Sequence, residues 1–266
     1  PFLLFLVIAC AQEAPVSAPA PAPVPDPVPA PAPSTAAPTP VPAPVAAERN
    51  IYIDRVEVAN PLVVSGRART FENNVVLRVR AADGSVISET FTTSEGEMGR
   101  HNPYRATLWL TRDPGNRVLV EALEYSAKDG SETNLVREEK SIDIAPIEAR
   151  LHFPDQTCTN VKPYTRRMPK SVSLARLLVE ALIAGPLASE RNAGAAAPFP
   201  QGSRVQSVNL RDGTLTVDFN ERLQNVGGAC QAQMIRAAVT ETLRQLPSVQ
   251  RVVITAGGSE KLALQP

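Results

Sequence analysis

Short runs of alternating apolar and polar residues fill the chain from residue 51 to residue 146. They predict seven strands, over 51–59, 62–70, 74–82, 85–94, 104–112, 117–127 and 135–146. In the third run Val75, Leu77 and Val79 fall on one face and two arginines on the other, as expected of a half-buried strand. Asp-Gly pairs between the runs predict hairpins rather than catalytic carboxylates. Seven short strands in this order predict an all-β, immunoglobulin-like sandwich.

A different pattern follows Pro146. A strand over 148–154 precedes an amphipathic helix over 171–184, a hairpin of 203–210 and 214–220, a second helix over 229–246 and a last strand over 250–256. The segments that lead into the first helix and span 187–199 are predicted as loops. The resulting β-α-β-β-α-β order predicts an α+β domain whose two helices pack against one face of a small sheet.

The beginning of the chain has no such periodicity. Residues 1–10 are apolar and follow no methionine or basic residue, so we expect the sequence to begin inside a signal peptide. The run ends on Val7-Ile8-Ala9-Cys10, which resembles the lipobox of bacterial lipoproteins, where cleavage precedes the cysteine and its sulfur receives a diacylglycerol. The alternative is an ordinary buried cysteine. Residues 11–48 consist mainly of Ala, Pro and Val and predict a disordered linker that favours polyproline II.

The predicted organisation is therefore a truncated lipoprotein signal peptide (1–10), a Pro/Ala-rich linker (11–48), a sandwich (49–147) and an α+β domain (148–266). We expect an exported protein of the bacterial cell envelope that is anchored to a membrane by lipid at Cys10. Ala11 is not the aspartate that resembles an inner-membrane retention signal, so the outer membrane is expected in a cell with two membranes.

Charge argues against one class of partner and suggests another. The chain has 27 Lys and Arg against 27 Asp and Glu, so we expect no general nucleic-acid binding. The second half has a net charge of +5, because residues 148–266 contain 14 basic and 9 acidic residues. Four basic residues in the predicted loop before the first helix form a candidate site for a partner protein or an anionic polymer; they are Lys162, Arg166, Arg167 and Lys170. The alternative is a solvated loop.

The sequence contains few residues that indicate catalysis or metal binding. Without Cys10, the cysteines form an even pair, Cys158 and Cys230, and in an oxidising compartment an even pair predicts a disulfide. A nucleophilic thiol and a metal ligand are the alternatives. The two histidines, His101 and His152, are too few for a zinc site of several imidazoles and are interpreted as structural or solvated. Because HExxH, GxSxG, SxxK, P-loop and GxGxxG motifs are all absent, we expect no catalytic residue, no cofactor and no metal.

The sandwich segment resembles the immunoglobulin-like domain of bacterial spore germination proteins over residues 51–146. The residues that carry the resemblance are Pro61, Val64, Gly66, Ala68, Phe71, Glu72, Val75, Asp83 and Gly84. The resemblance implies a β-sandwich of an exported bacterial protein and no catalytic residue.

The second half resembles the GerM domain of sporulation and spore germination over residues 148–258. The likeness rests on Leu178, Glu180, Ala181, Leu182, Gly185, Pro186, Pro200, Gly202, Val205, Asp218, Phe219, Val239, Thr240, Thr242, Leu243, Pro247 and Val249. It implies a topology similar to the ring-building motifs of envelope machines, whose domains associate side by side. The loop 187–199 departs from the family in being rich in alanine.

Three classes of function follow from these observations. The first is a non-catalytic envelope lipoprotein, related to sporulation and spore germination proteins, that acts as a scaffold by docking with another protein or with copies of itself. The second is a lipoprotein that binds the cell wall, an anionic glycan or peptidoglycan, through the basic residues. The third is an enzyme whose site has no recognised motif.

Overall fold

The computed structural model describes residues 48–224 and 226–265, which lie within one compact unit, 47–266. The predicted lipid anchor at Cys10, the signal peptide and almost all of the predicted linker lie outside the described residues. None of the helices within the described ranges has both the length and the apolar character needed to cross a membrane.

The first half is the predicted immunoglobulin-like sandwich. Its strands are β1 (Ile51–Glu57), β2 (Leu62–Ala68), β3 (Asn74–Ala81), β4 (Val86–Thr93), β5 (Asn102–Leu108), β6 (Arg117–Tyr125) and β7 (Glu132–Ser141). They form a three-stranded sheet in the order β1-β2-β5 and a four-stranded sheet in the order β4-β3-β6-β7. Every neighbouring pair is antiparallel. All seven predicted strands are present, which confirms the predicted architecture.

Alternation along the strands creates the core of the sandwich. In β5, Tyr104, Ala106 and Leu108 are buried and the residues between them are exposed. The hydroxyl of Tyr104 donates a hydrogen bond of 2.9 Å to the carbonyl of Tyr52. Gly66 makes this contact possible, because a Cβ at Gly66 would lie only 2.6 Å from the Tyr104 hydroxyl oxygen. Apolar side chains pack the two sheets against each other. The Tyr104 hydroxyl joins β5 to β1 within the three-stranded sheet.

A row of charged residues crosses the outer face of the four-stranded sheet. Glu121 on β6 is fully buried and accepts hydrogen bonds from Arg78 Nη1 (3.1 Å) and Arg137 Nε (2.9 Å) on the two neighbouring strands. Arg80 Nε donates a third bond, of 3.0 Å, to the same carboxylate. Burial by itself would raise the pKa of Glu121, but hydrogen bonds from the three guanidinium groups lower it below its ordinary value. This carboxylate is therefore satisfied in its ionised form.

The second half is the predicted α+β domain. Its elements are β8 (Pro146–Pro154), β9 (Val161–Pro169), α1 (Leu174–Ile183), α2 (Ala188–Asn192), β10 (Val205–Arg211), β11 (Thr214–Phe219), α3 (Ala229–Leu243) and β12 (Arg251–Ala256). The β8–β9 hairpin is a separate two-stranded sheet. In the three-stranded sheet β10-β11-β12, β11 pairs antiparallel with β10 and parallel with β12.

The helices supply the core of this domain. Leu178 and Leu182 on α1 and Ile235 and Val239 on α3 are fully buried. They belong to one apolar cluster with Phe219 of β11 and with residues of the β8–β9 hairpin. The long helices thus join the two sheets of the domain through a shared core.

Two elements differ from the sequence prediction. The segment predicted as a loop before α1 contains β9, and the predicted loop 187–199 begins with α2. The element order is therefore β-β-α-α-β-β-α-β rather than β-α-β-β-α-β, and two sheets replace the single small sheet. The apolar pattern missed β9 because it pairs only with β8 and is mostly polar. Such an edge strand tolerates Pro163, which has no backbone donor.

Candidate functional site

The two histidines lie in different domains and have structural contacts. His101 Nε2 lies 2.9 Å from the carbonyl oxygen of Arg49, and its Nδ1 lies 3.4 Å from a carboxylate oxygen of Glu48. His152 on β8 packs beside Thr242 of α3, and burial lowers its pKa. Among residues 48–224 and 226–265, no group of three or more His, Cys, Asp or Glu side chains has a geometry that would hold a metal ion.

The structure joins Cys158 and Cys230 in a disulfide, with 6.1 Å between their Cα atoms. Cys158 lies in the turn between β8 and β9, and Cys230 lies in the first turn of α3. Asp155 orders the turn, since its carboxylate accepts hydrogen bonds from the hydroxyl of Thr157 (2.8 Å) and the backbone N–H of Thr159 (3.2 Å). These bonds lower the pKa of Asp155, with the Thr157 hydroxyl as the largest cause. Sulfur atoms bonded to each other are available neither as a nucleophile nor as metal ligands.

The four basic residues predicted as a loop do not form one surface. Three of them lie on β9, and Lys170 directly follows it. Residues opposite each other in an antiparallel pair share a face of the sheet, and successive residues alternate between faces. Arg166 lies opposite the buried Ala149, whereas Arg167 lies opposite the exposed Glu148 on the other face. The predicted basic loop is thus wrong as a structural element, and its charges are divided between two faces.

Arg166 is a buried structural residue. Its side chain is 2 % exposed and forms a bidentate ion pair with Glu190 of α2, in which Nε lies 3.1 Å from one carboxylate oxygen. Its remaining donors contact the carbonyl oxygens of Gly185 (3.1 Å) and Thr111 (3.4 Å). A guanidinium with its donors occupied in this way is unavailable to a glycan or a partner. Sequence reasoning misses Glu190, because α2 falls in the stretch 187–199, whose composition predicts an alanine-rich loop.

A second set of contacts joins the sandwich to the α+β domain. The Asn60 side chain is buried; its amide donates to the carbonyl of Pro169 at 2.7 Å, and its oxygen accepts the N–H of Leu110 at 3.0 Å. Trp109, which follows β5, packs against the α+β core. At the rim, Arg167 Nε lies 3.1 Å from a carboxylate oxygen of Asp113. We call these contacts the seam, and they hold the two domains as one body.

One face of the three-stranded sheet is open. Leu215, Val217 and Phe219 of β11 point into the core, and the alternate residues of all three strands form the outer face. That outer face consists of Ser207, Asn209, Arg211, Thr214, Thr216, Asp218, Arg251, Val253 and Thr255. Eight of the nine are half-buried or exposed, and only Thr255 is buried. We call this set the polar sheet face.

The edges of the same sheet are also open. Within the described ranges, no strand pairs with the outer edge of β10 or of β12. The start of β10 is covered, where Arg176 Nη2 donates to the carbonyl of Val205 at 2.9 Å. The end of β12 is covered by Ser259, whose carbonyl accepts the N–H of Ala256 at 3.1 Å. From Ser207 to Arg211 the β10 edge has no such cover among the described side chains. A sheet with an open polar face and largely unpaired edges is suited to contact another chain.

Comparison with known families assigns both halves. Residues 54–131 match the immunoglobulin-like domain of bacterial spore germination, Gmad2. Residues 150–262 match the sporulation and spore germination family, Germane. This chain combines a Gmad2 domain with a Germane domain. The Gmad2 domain supplies Asn60 and Trp109 to the seam, and the Germane domain contains the disulfide and the polar sheet face.

Three solved structures align with part of the chain. The first GerMN domain of the sporulation protein GerM from Bacillus subtilis is 29% identical, and the alignment covers 42% of this chain and 84% of that one with a TM-score of 0.38. The tandem GerMN domains of the same protein are 26% identical over 43% of this chain and 40% of that chain, with a TM-score of 0.38. A putative lipoprotein from Clostridium perfringens is 20% identical over 43% and 77%, with a TM-score of 0.29. No curated protein matches the chain.

Proposed function

We propose that this protein is a non-catalytic scaffold of the bacterial cell envelope, held to a membrane by lipid at Cys10, whose Germane domain docks with another envelope protein or with a second copy of itself. The observation that supports this proposal is the polar sheet face, which is half-buried or exposed at eight of its nine positions.

Charge along the sheet favours a second copy. Arg211 and Arg251 lie at one end of the polar sheet face, and Asp218 lies at the other end. Two copies packed face to face with antiparallel strands place each arginine end against the aspartate end of the partner. A symmetric contact of this kind uses the same patch on both subunits.

The side chains of the described residues support a non-catalytic role. In the parts of the chain that the structure describes, both sulfurs are bonded to each other, the histidines lie in separate domains, and the most buried arginine is paired. The cell-wall alternative loses the continuous basic surface on which it depended, because Arg166 is buried and Arg167 faces Asp113. Docking by the polar sheet face needs neither a catalytic residue nor a continuous basic surface.

Light scattering after size exclusion, together with chemical crosslinking, tests the proposal on residues 47–266, which form one compact unit. We expect concentration-dependent association that Thr216→Arg abolishes, because a long charged side chain at the centre of the polar sheet face blocks close approach. The control is Thr93→Arg, at an exposed threonine on a strand of the sandwich.

Crosslinking in cells tests the other arm, in which the occupant is a different envelope protein. Adducts formed by the parent chain and by Thr93→Arg are expected to disappear in Thr216→Arg. A protein that stays monomeric and forms identical crosslinks in both variants contradicts docking through this face.

A further inference from the structure

The three most exposed aromatic side chains of the described residues lie around one cavity. Phe71 is 64% exposed, Phe91 is 53% exposed and Tyr125 is 41% exposed, and all three line a cavity of about 560 Å³ on the Gmad2 domain. Single exposed apolar side chains are common on protein surfaces, but a concave cluster of them marks an interaction site. We call it the aromatic cavity.

Carboxylates surround the same space. Glu72, Glu89 and Glu124 all line the aromatic cavity. Glu89 accepts a hydrogen bond of 2.7 Å from Arg78 Nε, but in the described part of the chain neither Glu72 nor Glu124 has a cationic partner within ion-pair distance. The cavity therefore combines exposed aromatic faces with three carboxylates and one lining cation, Arg204, so its net charge is negative.

The turn before β3 directs two of these side chains to the rim. Glu72 and Asn73 have φ values of 53° and 58°, a left-handed conformation that is unfavourable for a residue other than glycine. Two contacts hold the turn: the N–H of Phe71 donates to Glu124 Oε1 at 2.5 Å, and Asn73 Nδ2 donates to the carbonyl of Gly96 at 2.9 Å. Phe71 is consequently held outward although it is apolar.

The cavity already contains one cation–π contact, which is the kind of contact that its aromatic rings favour. The guanidinium carbon of Arg204, from the Germane domain, lies 4.3 Å from the centre of the Phe91 ring. Cations within about 6 Å of an aromatic centroid are attracted by the negative face of the ring. Phe91 therefore accepts a cation on its face, and the rings of Phe71 and Tyr125 have no such partner among the described residues.

We propose that the aromatic cavity binds a lysine or arginine side chain presented by a short extended segment of a partner protein. The cation lies against Phe71 and Tyr125 and is neutralised by Glu72 and Glu124, while the apolar neighbours of that residue cover Phe91. A cavity of about 560 Å³ lies in the range of sites that hold ligands larger than a single side chain. All the lining residues except Arg204 belong to the Gmad2 domain, and none of them lies on the polar sheet face, so this inference does not rest on the proposed docking of the Germane domain.

Two matched peptides test the inference on residues 47–266. The first, Ac-Ala-Leu-Lys-Leu-Ala-NH2, contains one lysine, and the second has norleucine in its place. We expect the lysine peptide to bind at least about fivefold more tightly, with a preference that shrinks at high salt. Equal binding of the two peptides, or no binding of either at millimolar concentration, overturns the proposal.

Variants locate the site and check the charge argument. Phe71→Ala and Glu72→Gln are each expected to weaken binding of the lysine peptide about three- to fivefold, whereas Met98→Ala, at a methionine that is 74% exposed on the same domain and does not line the cavity, leaves it unchanged. Arg204→Gln is expected to tighten binding of the lysine peptide only, since it removes a like charge. An equal loss in Met98→Ala contradicts the site.

Folding and self-association are measured on the same proteins. Circular dichroism and the melting temperature of each variant are expected to match the parent, because Phe71 and Glu72 are exposed. If Phe71→Ala instead converts a dimer to a monomer, the occupant is a second copy of the chain, and the assignment to a partner protein is wrong.

Discussion

Replacing Arg166 by an uncharged residue is expected to destabilise the protein strongly, although the sequence places Arg166 in a candidate partner-binding loop. Arg166→Met keeps much of the side-chain volume but leaves the buried carboxylate of Glu190 without its cation. The remaining donor to Glu190 is the N–H of Leu187, at 2.6 Å. Breaking a buried ion pair by removing one partner costs about 3–5 kcal/mol, because the other charge stays buried. A domain of ordinary stability has about 5–15 kcal/mol in total, so the loss is large.

Urea denaturation measures this loss directly. Trp109 is the only tryptophan in the chain and lies at the seam, so its fluorescence reports on the region that Arg166 supports through the carbonyl of Thr111. Far-ultraviolet circular dichroism on the same samples establishes whether unfolding is two-state. The matched control is Arg167→Met, the adjacent residue, whose side chain is 60% exposed in its pair with Asp113. We expect the control to lose about 0–1 kcal/mol.

The double variant Arg166→Met/Glu190→Met completes the cycle. Removal of both charges is expected to recover most of the stability, because no ionised group then remains buried without a partner. Equal losses for Arg166→Met and Arg167→Met refute the reasoning. In that case Arg166 is accessible to water and available to a partner.

Three further predictions concern the sulfurs, the anchor and the buried glutamate. Residues 47–266 from an oxidising compartment should have no reactive thiol after unfolding without reductant, and reduction should lower the free energy of unfolding by about 4 kcal/mol for a sequence separation of 72; two reactive thiols rule out the disulfide. Cys10→Ser should release the protein from the membrane fraction, and retention of the processed variant after washing contradicts lipid anchoring. The pKa of Glu121 is lower in the folded protein than its ordinary value of 4.5, so its contribution to stability is present above pH 4.5 and is lost as the pH falls through the lower, folded pKa. Glu121→Gln should remove that acid dependence, and an unchanged stability-against-pH curve contradicts the account.

The sequence predicts the sandwich well because its strands bury one face and expose the other. Val75, Leu77 and Val79 are all fully buried, as their spacing requires. The same reasoning fails for β9, where one of the buried positions is Arg166 and hydropathy assigns arginine to solvent. What buries this residue is Glu190, 24 positions away. No local pattern reveals such a pair, because both residues are polar and meet only in the tertiary structure.

The contacts of Asn60 were equally hidden in the sequence. Its amide bonds to the carbonyl of Pro169, 109 positions away, and an asparagine before a proline predicts only a turn. The cysteine pair needs no geometry, because an even number of cysteines in a domain that the sequence leads us to expect to be exported is sufficient to predict it.

The seam fixes the distance between the two surfaces that we propose as binding sites. The aromatic cavity and the polar sheet face lie on one compact body, so the first surface to be occupied also orients the second. A complex that presents a site for each surface at the correct spacing therefore encounters the second contact at a high effective concentration, and weak contacts gain in avidity by about 10²- to 10⁴-fold. A complex with the wrong spacing gains no avidity. Loosening the Asn60 contacts is therefore expected to let the two surfaces reach sites at more spacings and to lower the selectivity among them.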